Sequence, residues 1–200
     1  MTALNQAPRE ATAMSDLDSQ VPYWDAAAAT KTFTHPVHLP WLDGIGRHAA
    51  ILDYGCGYGR TMEDLEQYGF DNLTGADTSP GMIERARHLH PTMRFAVLDA
   101  SLALPYPDTG FDAVLLFAVL TCVPSDEAQH RLIAELDRIL TPGGILYISD
   151  LLLQDDERNR SRYNRYAKFE TVDTQTITVA TMNGHESTGI QILTRKPTAT

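Results

Sequence analysis

The stretch Ile51-Leu-Asp-Tyr-Gly-Cys-Gly-Tyr-Gly-Arg60 decides the fold. An apolar entry runs into an acid, Asp53, and then into glycines at alternate positions, Gly55, Gly57 and Gly59. Helix-forming residues follow from Arg60. The pattern is a strand entering a tight turn that opens into a helix. Glycine is required where the backbone bends sharply or approaches a ligand too closely for a side chain, so the turn points to a nucleotide-like cofactor. Two other glycine turns compete, and spacing disfavours both. The dinucleotide fingerprint G-x-G-x-x-G sets its third glycine one position later, where this chain has Arg60. The phosphate-cradling loop needs Lys-Ser/Thr after its last glycine, and Arg60-Thr61 stands too near Gly55 for that. An acid just ahead of the turn suits a cationic ligand better than a pyrophosphate.

Working outward from the turn, strands and helices alternate. Ala50–Tyr54 reads as a strand and Arg60–Tyr68 as a helix ended by Gly69. Leu73–Ala76 is a strand closed by Asp77. Ser79-Pro80 supplies a helix N-cap and a first-turn proline, and that helix stops before Pro91. Met93–Leu98 is a strand closed by Asp99. Phe111–Phe117 is apolar throughout after Asp112, as in a strand covered on both faces. Ser125 caps a helix with Leu132, Ile133, Leu136, Ile139 and Leu140 on one face. Thr141-Pro-Gly-Gly144 breaks it, and Ile145–Ser149 forms a fifth strand closed by Asp150. The charged segment Gln154–Lys168 reads as helical. Thr174–Met182 and Gly189–Arg195 flank Asn183-Gly184, a strong hairpin signal. Alternating strands and helices imply parallel βαβ units in one doubly wound sheet.

The bulk properties narrow the partners. Two hundred residues with 43% hydrophobic content suit one soluble domain. Residues 1–20 read as a flexible tail and 21–200 as a single domain. In the latter, 21–42, rich in aromatics, is a cover segment packed as short helices. The formal net charge of −10 disfavours a nucleic-acid partner. No apolar run reaches the roughly 20 residues that span a bilayer, and the N-terminus does not read as a signal peptide. Cys56 and Cys122 suggest no disulfide framework, so a reducing cytoplasmic setting is expected. No Cys/His cluster has metal-ligand spacing. The oligomeric state is left open.

The D-x-G-x-G-x-G pattern of Asp53–Gly59 resembles the first motif of the class I S-adenosylmethionine-dependent methyltransferases. Their cofactor carries an ammonium and a sulfonium and no phosphate. Thr74–Met82 looks like the family's second motif, and Leu140–Asp150 like its motif before and along the fifth strand. Tyr23-Trp-Asp25, Lys31–Pro36, Asp53–Thr61 and Leu116–Cys122 are similar to a bacterial subgroup of small-molecule-type methyltransferases. The resemblance implies an α/β fold: a doubly wound, mostly parallel seven-stranded sheet, Rossmann-like, ending in an antiparallel hairpin. It also implies S-adenosylmethionine as cofactor.

Chemistry assigns the roles within that family. In an open α/β sheet, ligands bind beyond the carboxyl ends of the strands near the switch in strand order. Asp77 can accept hydrogen bonds from both ribose hydroxyls, with Thr78 beside it. Asp99 can accept from the adenine amine, with Ala100 offering its amide, and Met82 and Leu98 can wall the ring. Asp53 favours the ammonium, directly or through water. Gly55 and Gly57, with Cys56 between them, bring the backbone to the methionine moiety. Phe117, Ala118 and Val119 border the sulfonium, where an aromatic face attracts a cation by ~0.5–2 kcal/mol. Tyr23 and Trp24 fold over the cofactor, and Lys31 or Arg60 can pair with its carboxylate.

Methyl transfer from a sulfonium depends mainly on positioning and desolvation. No catalytic residue is assigned, and His35 is the first candidate for a general base. The residues after the fourth strand, Phe117–Leu120, lack the Asn/Asp-Pro-Pro-aromatic turn of nucleic-acid amino-methyltransferases. That favours a small-molecule acceptor. The resemblance further implies that longer relatives insert a covering stretch after a segment like Phe169-Glu170. The alternative reading follows: a cofactor-binding protein with little or no turnover, because that cover is shortened.

Overall fold

The computed structural model describes residues 21–32, 34–99, 103–123, 125–152, 168–180 and 185–198. In chain order the elements are α1 (Val21–Ala27), a 3-10 helix (Leu39–Leu42), β1 (Ile51–Tyr54), α2 (Arg60–Gln67), β2 (Leu73–Asp77), α3 (Pro80–Leu89) and β3 (Arg94–Val97). They continue with β4 (Phe111–Phe117), α4 (Asp126–Ile139), β5 (Leu140–Leu151), β6 (Glu170–Ala180) and β7 (Glu186–Arg195). The seven strands form one sheet in the order β3-β2-β1-β4-β5-β7-β6. Strands β1 to β5 pair in parallel, whereas β7 runs antiparallel to both β5 and β6. The expected mostly parallel sheet with an antiparallel end is therefore the one observed. Asn183-Gly184, the expected hairpin turn, lies outside the described residues, as do the N-terminal tail, Phe33, Ala100 and the expected helix beginning at Gln154.

Two-residue periodicity splits β4 between the two faces of the sheet. Val114 and Leu116 pack with Leu132, Ile133, Leu136 and Ile139 of α4. Ala113, Leu115 and Phe117 pack with Met62 and Leu65 of α2 and with Leu42 of the 3-10 helix. Tyr147 of β5 is fully buried in this second cluster and meets Phe117 edge-on at 4.9 Å and Trp41 at 5.1 Å. The helix starts follow their capping residues: Ser79 Oγ accepts from Met82 N at 3.1 Å, and Ser125 Oγ from Ala128 N at 3.1 Å.

Several boundaries differ from the sequence reading. Strand β5 begins at Leu140, because the extended Leu140 pairs with Phe111 before a register shift. Thr141-Pro-Gly-Gly144 ends the helix but stays in the sheet. Gly143 N donates to Lys196 O at 2.9 Å, and Lys196 N to Gly144 O at 2.8 Å. Asp150 consequently does not close the strand. It is fully buried within β5 and accepts from Thr121 N at 3.1 Å. Strand β6 begins earlier than expected, at Glu170, and β3 ends earlier, at Val97.

The N-terminal segment docks along one edge of the cleft described below. Ala27 and Ala28 pack on Met82 of α3, with Trp24 against them. Asp25 Oδ1 accepts from Ser79 Oγ and, at 2.9 Å, from Gly81 N. Arg85 donates to the carbonyls of Ala28 and Lys31 at 2.7 and 2.9 Å.

Close packing of α2 on the sheet rests on Gly75 in β2. A Cβ there would lie 2.4 Å from Met62 Sδ and 2.8 Å from Phe95 Cδ1. Gly75→Ala is expected to lower unfolding free energy by about 1–3 kcal/mol, the usual cost of overpacking. Gly46→Ala, with nothing within 4 Å, should stay within about 0.5 kcal/mol of the parent. Denaturant melts of both variants check this.

Candidate active site

Strand order reverses between β1 and β4, and a cleft of about 920 Å³ open to solvent lies there. Its floor is the glycine turn. Gly55, Gly57 and Gly59 have φ of +74°, +53° and +89°, a region that other residues enter at a steric cost. Gly55 has a second constraint: a Cβ would meet Val119 Cγ2 at 2.4 Å. The turn is tied to β2 by Gly55 N and Cys56 N, which donate to Ala76 O at 2.7 and 3.1 Å. Asp77 completes the tie. Its Oδ2 accepts from Gly57 N at 2.8 Å and its Oδ1 from Ser79 N at 2.9 Å. Burial raises the Asp77 pKa, and the backbone donors of Ser79, Gly57 and Thr78 oppose that rise. Three backbone donors leave the carboxylate at least one lone pair for a ligand hydroxyl.

Most residues singled out from the sequence converge on this cleft. Trp24, Gly55, Cys56, Gly57, Arg60, Asp77, Thr78, Met82, Phe117 and Ala118 all line it. So do Leu98 and Val119. Ala118 has φ +58° without being glycine, a strained conformation immediately after β4. It is held there by its N–H, which donates to Ser149 O at 2.8 Å. Four expected residues, Tyr23, Lys31, Asp53 and Asp99, do not line the cleft. Tyr23 is 47% exposed and meets Trp24 edge-on at 5.0 Å. Asp99 is exposed beyond the end of the short edge strand β3. Asp53 is buried beneath the turn. Tyr54, Thr61, Cys122 and Val123 line the cleft without having been singled out for the cofactor. The end position of Tyr54 on β1 was the available signal for it. His35, read only as a candidate base, is also a lining residue.

The electrostatics centre on Asp53. It is 2% exposed, and its Oδ2 has no hydrogen-bond partner among the described residues. Burial pushes its pKa up to about 7, Arg60 opposing and Asp77 adding to the shift. Arg60 spans the turn and the N-terminal segment. It donates to Asp64 Oδ2 at 3.1 Å and to the carbonyl of His35. A buried carboxylate lacking a partner is costly in a fold held by its own contacts alone. It fits a cationic ligand group such as the ammonium of S-adenosylmethionine. The remaining accepting capacity of Asp77 and the apolar wall of Met82 and Leu98 fit a ribose and an adenine.

A protein-family profile described as a methyltransferase domain matches residues 52–148. That span covers β1 to β5 and thus the glycine turn and the whole cleft floor. Over these residues the chain is similar to the class I S-adenosylmethionine-dependent methyltransferases. It is 40% identical over 121 residues to the 2-methyl-6-phytyl-1,4-hydroquinone methyltransferase of Synechocystis sp., a match covering 58% of this chain and 36% of that protein. It is 26% identical over 144 residues to the sterol 24-C-methyltransferase of Yarrowia lipolytica, covering 68% of this chain and 37% of that one. The chain thus spans little more than a third of the length of these relatives. The crystal structure of a SAM-dependent methyltransferase from Methanosarcina mazei shares the methyltransferase fold. Its TM-score is 0.68 at 21% identity, over 82% of this chain and 99% of that one. S-adenosylmethionine is the cofactor of the family.

The raised pKa of Asp53 has a consequence for stability. The folded protein keeps a proton that the unfolded chain, with a carboxyl near 3.8, has already lost. Stability should therefore fall as pH rises from about 4 through about 7, by about 2–4 kcal/mol from this group. Asp53→Asn should flatten the slope and be more stable than the parent at pH 8. Chemical denaturation between pH 5 and 8 tests this, and identical slopes in the two proteins would contradict it.

Proposed function

We propose that this chain is an S-adenosylmethionine-dependent methyltransferase whose acceptor is a small, largely apolar molecule. The observation that carries the reading is the composition of the cleft at the β1–β4 switch. A left-handed glycine turn, an acid and an apolar wall line it, and a buried carboxyl oxygen without a partner among the described residues lies beneath the turn. Two relatives named for a hydroquinone and for a sterol support a lipophilic acceptor. The net charge of −10 argues against a nucleic-acid acceptor. Among the described residues, no helix is long and apolar enough to cross a membrane.

When bound, S-adenosylmethionine supplies a methyl group activated by its sulfonium. The remaining work belongs to the chain. Asp77 holds the ribose hydroxyls, and Met82 and Leu98 hold the adenine between apolar side chains. Asp53 favours the ammonium from beneath the turn, and Arg60 pairs with the carboxylate. Phe117 presents an aromatic face to positive charge. Trp24, fixed by the docking of α1 on α3, shields the cleft from water. Shielding strengthens each of these electrostatic contacts. Among the described residues, β6 follows directly on Phe169, which is itself packed in the core.

Titration calorimetry with S-adenosylmethionine and S-adenosylhomocysteine tests the cofactor assignment. Asp77→Ala should weaken binding at least about tenfold, through loss of one to two charge-assisted hydrogen bonds. Unchanged affinity would remove Asp77 from the site. Incubation with methyl-labelled cofactor and a lipid-soluble metabolite extract should give an enzyme-dependent labelled product. Tight cofactor binding without any such product would instead support a binding protein that does not turn over.

A further inference from the structure

One side chain in the cleft is placed with care and left without a partner. His35 is 6% exposed, lines the cleft, and has both Nδ1 and Nε2 free of hydrogen bonds among the described residues. Its backbone is fixed from several sides at once. Thr34 Oγ1 donates to Ala180 O at 3.2 Å and accepts from Ala180 N at 2.9 Å, on β6. The His35 carbonyl accepts from Arg60 of α2, and the Pro36 carbonyl from Gln191 Nε2 of β7 at 2.6 Å. Two residues on, His38 N donates to the hydroxyl of Tyr147 in β5 at 2.8 Å. A buried imidazole with neither nitrogen paired costs stability. Residues 34–36 are thus anchored on β6, α2 and β7, while the ring nitrogens remain unpaired among the described residues.

The anchoring sets His35 apart from the groups assigned to adenosine. The groups assigned to adenosine, Asp77, Met82 and Leu98, come from β2, α3 and the end of β3. The partners that fix residues 34–38 come from β5, β6 and β7, across the strand switch, and from α2. Burial and the neighbouring Arg60 guanidinium lower the His35 pKa to about 4, so the ring is neutral near pH 7. A neutral imidazole offers one N–H donor and one lone-pair acceptor. A hydroxyl can pair with either site, donating to the lone pair or accepting from the N–H. The same cleft also presents the apolar side chains of Phe117, Val119 and Val123, while Arg60 is the charged neighbour of His35.

We propose that the imidazole of His35 is the polar anchor of the methyl acceptor, and that it selects an apolar acceptor bearing a hydroxyl on an aromatic ring. The inference rests on the methyltransferase reading above. The acceptor O–H donates to the unprotonated ring nitrogen of His35, and apolar side chains of the cleft hold the aromatic ring. An acceptor lacking the hydroxyl leaves the buried imidazole unpaired and is rejected.

The test uses the full chain labelled with 15N-histidine and saturated with S-adenosylhomocysteine. Hydroquinone and 1,4-dimethoxybenzene, the same ring with both O–H groups methylated, are titrated separately while the His35 ring nitrogens are followed by NMR. Hydroquinone is expected to move these resonances saturably, with at least about tenfold tighter binding than the dimethyl ether. His35→Phe should lose hydroquinone binding and keep S-adenosylhomocysteine affinity. His35→Gln, which keeps a donor and an acceptor, should regain part of it. Equal binding of the two probes, no binding of hydroquinone, or retention of hydroquinone by His35→Phe overturns the proposal. A tenfold loss of S-adenosylhomocysteine affinity in His35→Phe also overturns it, by assigning the ring to the cofactor. If the parent fails to bind S-adenosylhomocysteine at all, the methyltransferase reading itself fails, and the two failures are thereby distinct.

Discussion

One carboxylate organises the cleft. Asp77, the last residue of β2, accepts from Gly57 N in the turn after β1 and from Ser79 N at the start of α3. Hydrogen bonds to an ionised acceptor are the stronger kind, about 1.5–3 kcal/mol each. They fix two neighbouring backbone turns relative to one another. Ser79 passes the constraint on: its hydroxyl caps α3 and also donates to Asp25 of the N-terminal segment. Floor, wall and cover of the cleft are thus connected through a short hydrogen-bonded chain.

Several departures from ordinary packing gather at the same place. The turn needs positive φ at three glycines, Ala118 adopts it without being glycine, and Asp53 and His35 are buried with unpaired polar atoms. Each feature costs free energy that the rest of the fold must offset. The offset comes from a sheet covered on both faces, with β4 buried along almost its whole length. The cleft is therefore preorganised by a rigid core, and binding energy need not be spent on assembling it.

Much of this was legible in the sequence where the determinants are local. Phe111–Phe117 matches β4 residue for residue, because a strand covered on both faces must be apolar throughout. Ser79 and Ser125 mark helix starts because capping needs only a side-chain oxygen and the amide three residues on. The glycine spacing located the cleft because positive φ admits few other residues. The reading was weaker where partners are distant. Thr141-Pro-Gly-Gly144 looks like a break between elements, yet Phe111 and Lys196 keep it in the sheet. Asp99 resembled the other strand-end acids, but the edge strand β3 ends at Val97 and the chain leaves the sheet before Asp99. The environment of His35 depends on Arg60, Ala180 and Gln191, contacts that no local pattern encodes.

The central claim is that the unpaired carboxylate beneath the glycine turn awaits the ammonium of S-adenosylmethionine. Its most direct test is the proton balance of cofactor binding at pH 7, from calorimetry in two buffers of different ionisation enthalpy. With a pKa of about 7, Asp53 holds about half a proton there. A cation placed nearby lowers that pKa. The parent should therefore release more protons on binding than Asp53→Asn, by up to about half a proton per cofactor. Equal proton exchange in the two proteins, or greater release by the variant, would contradict the account.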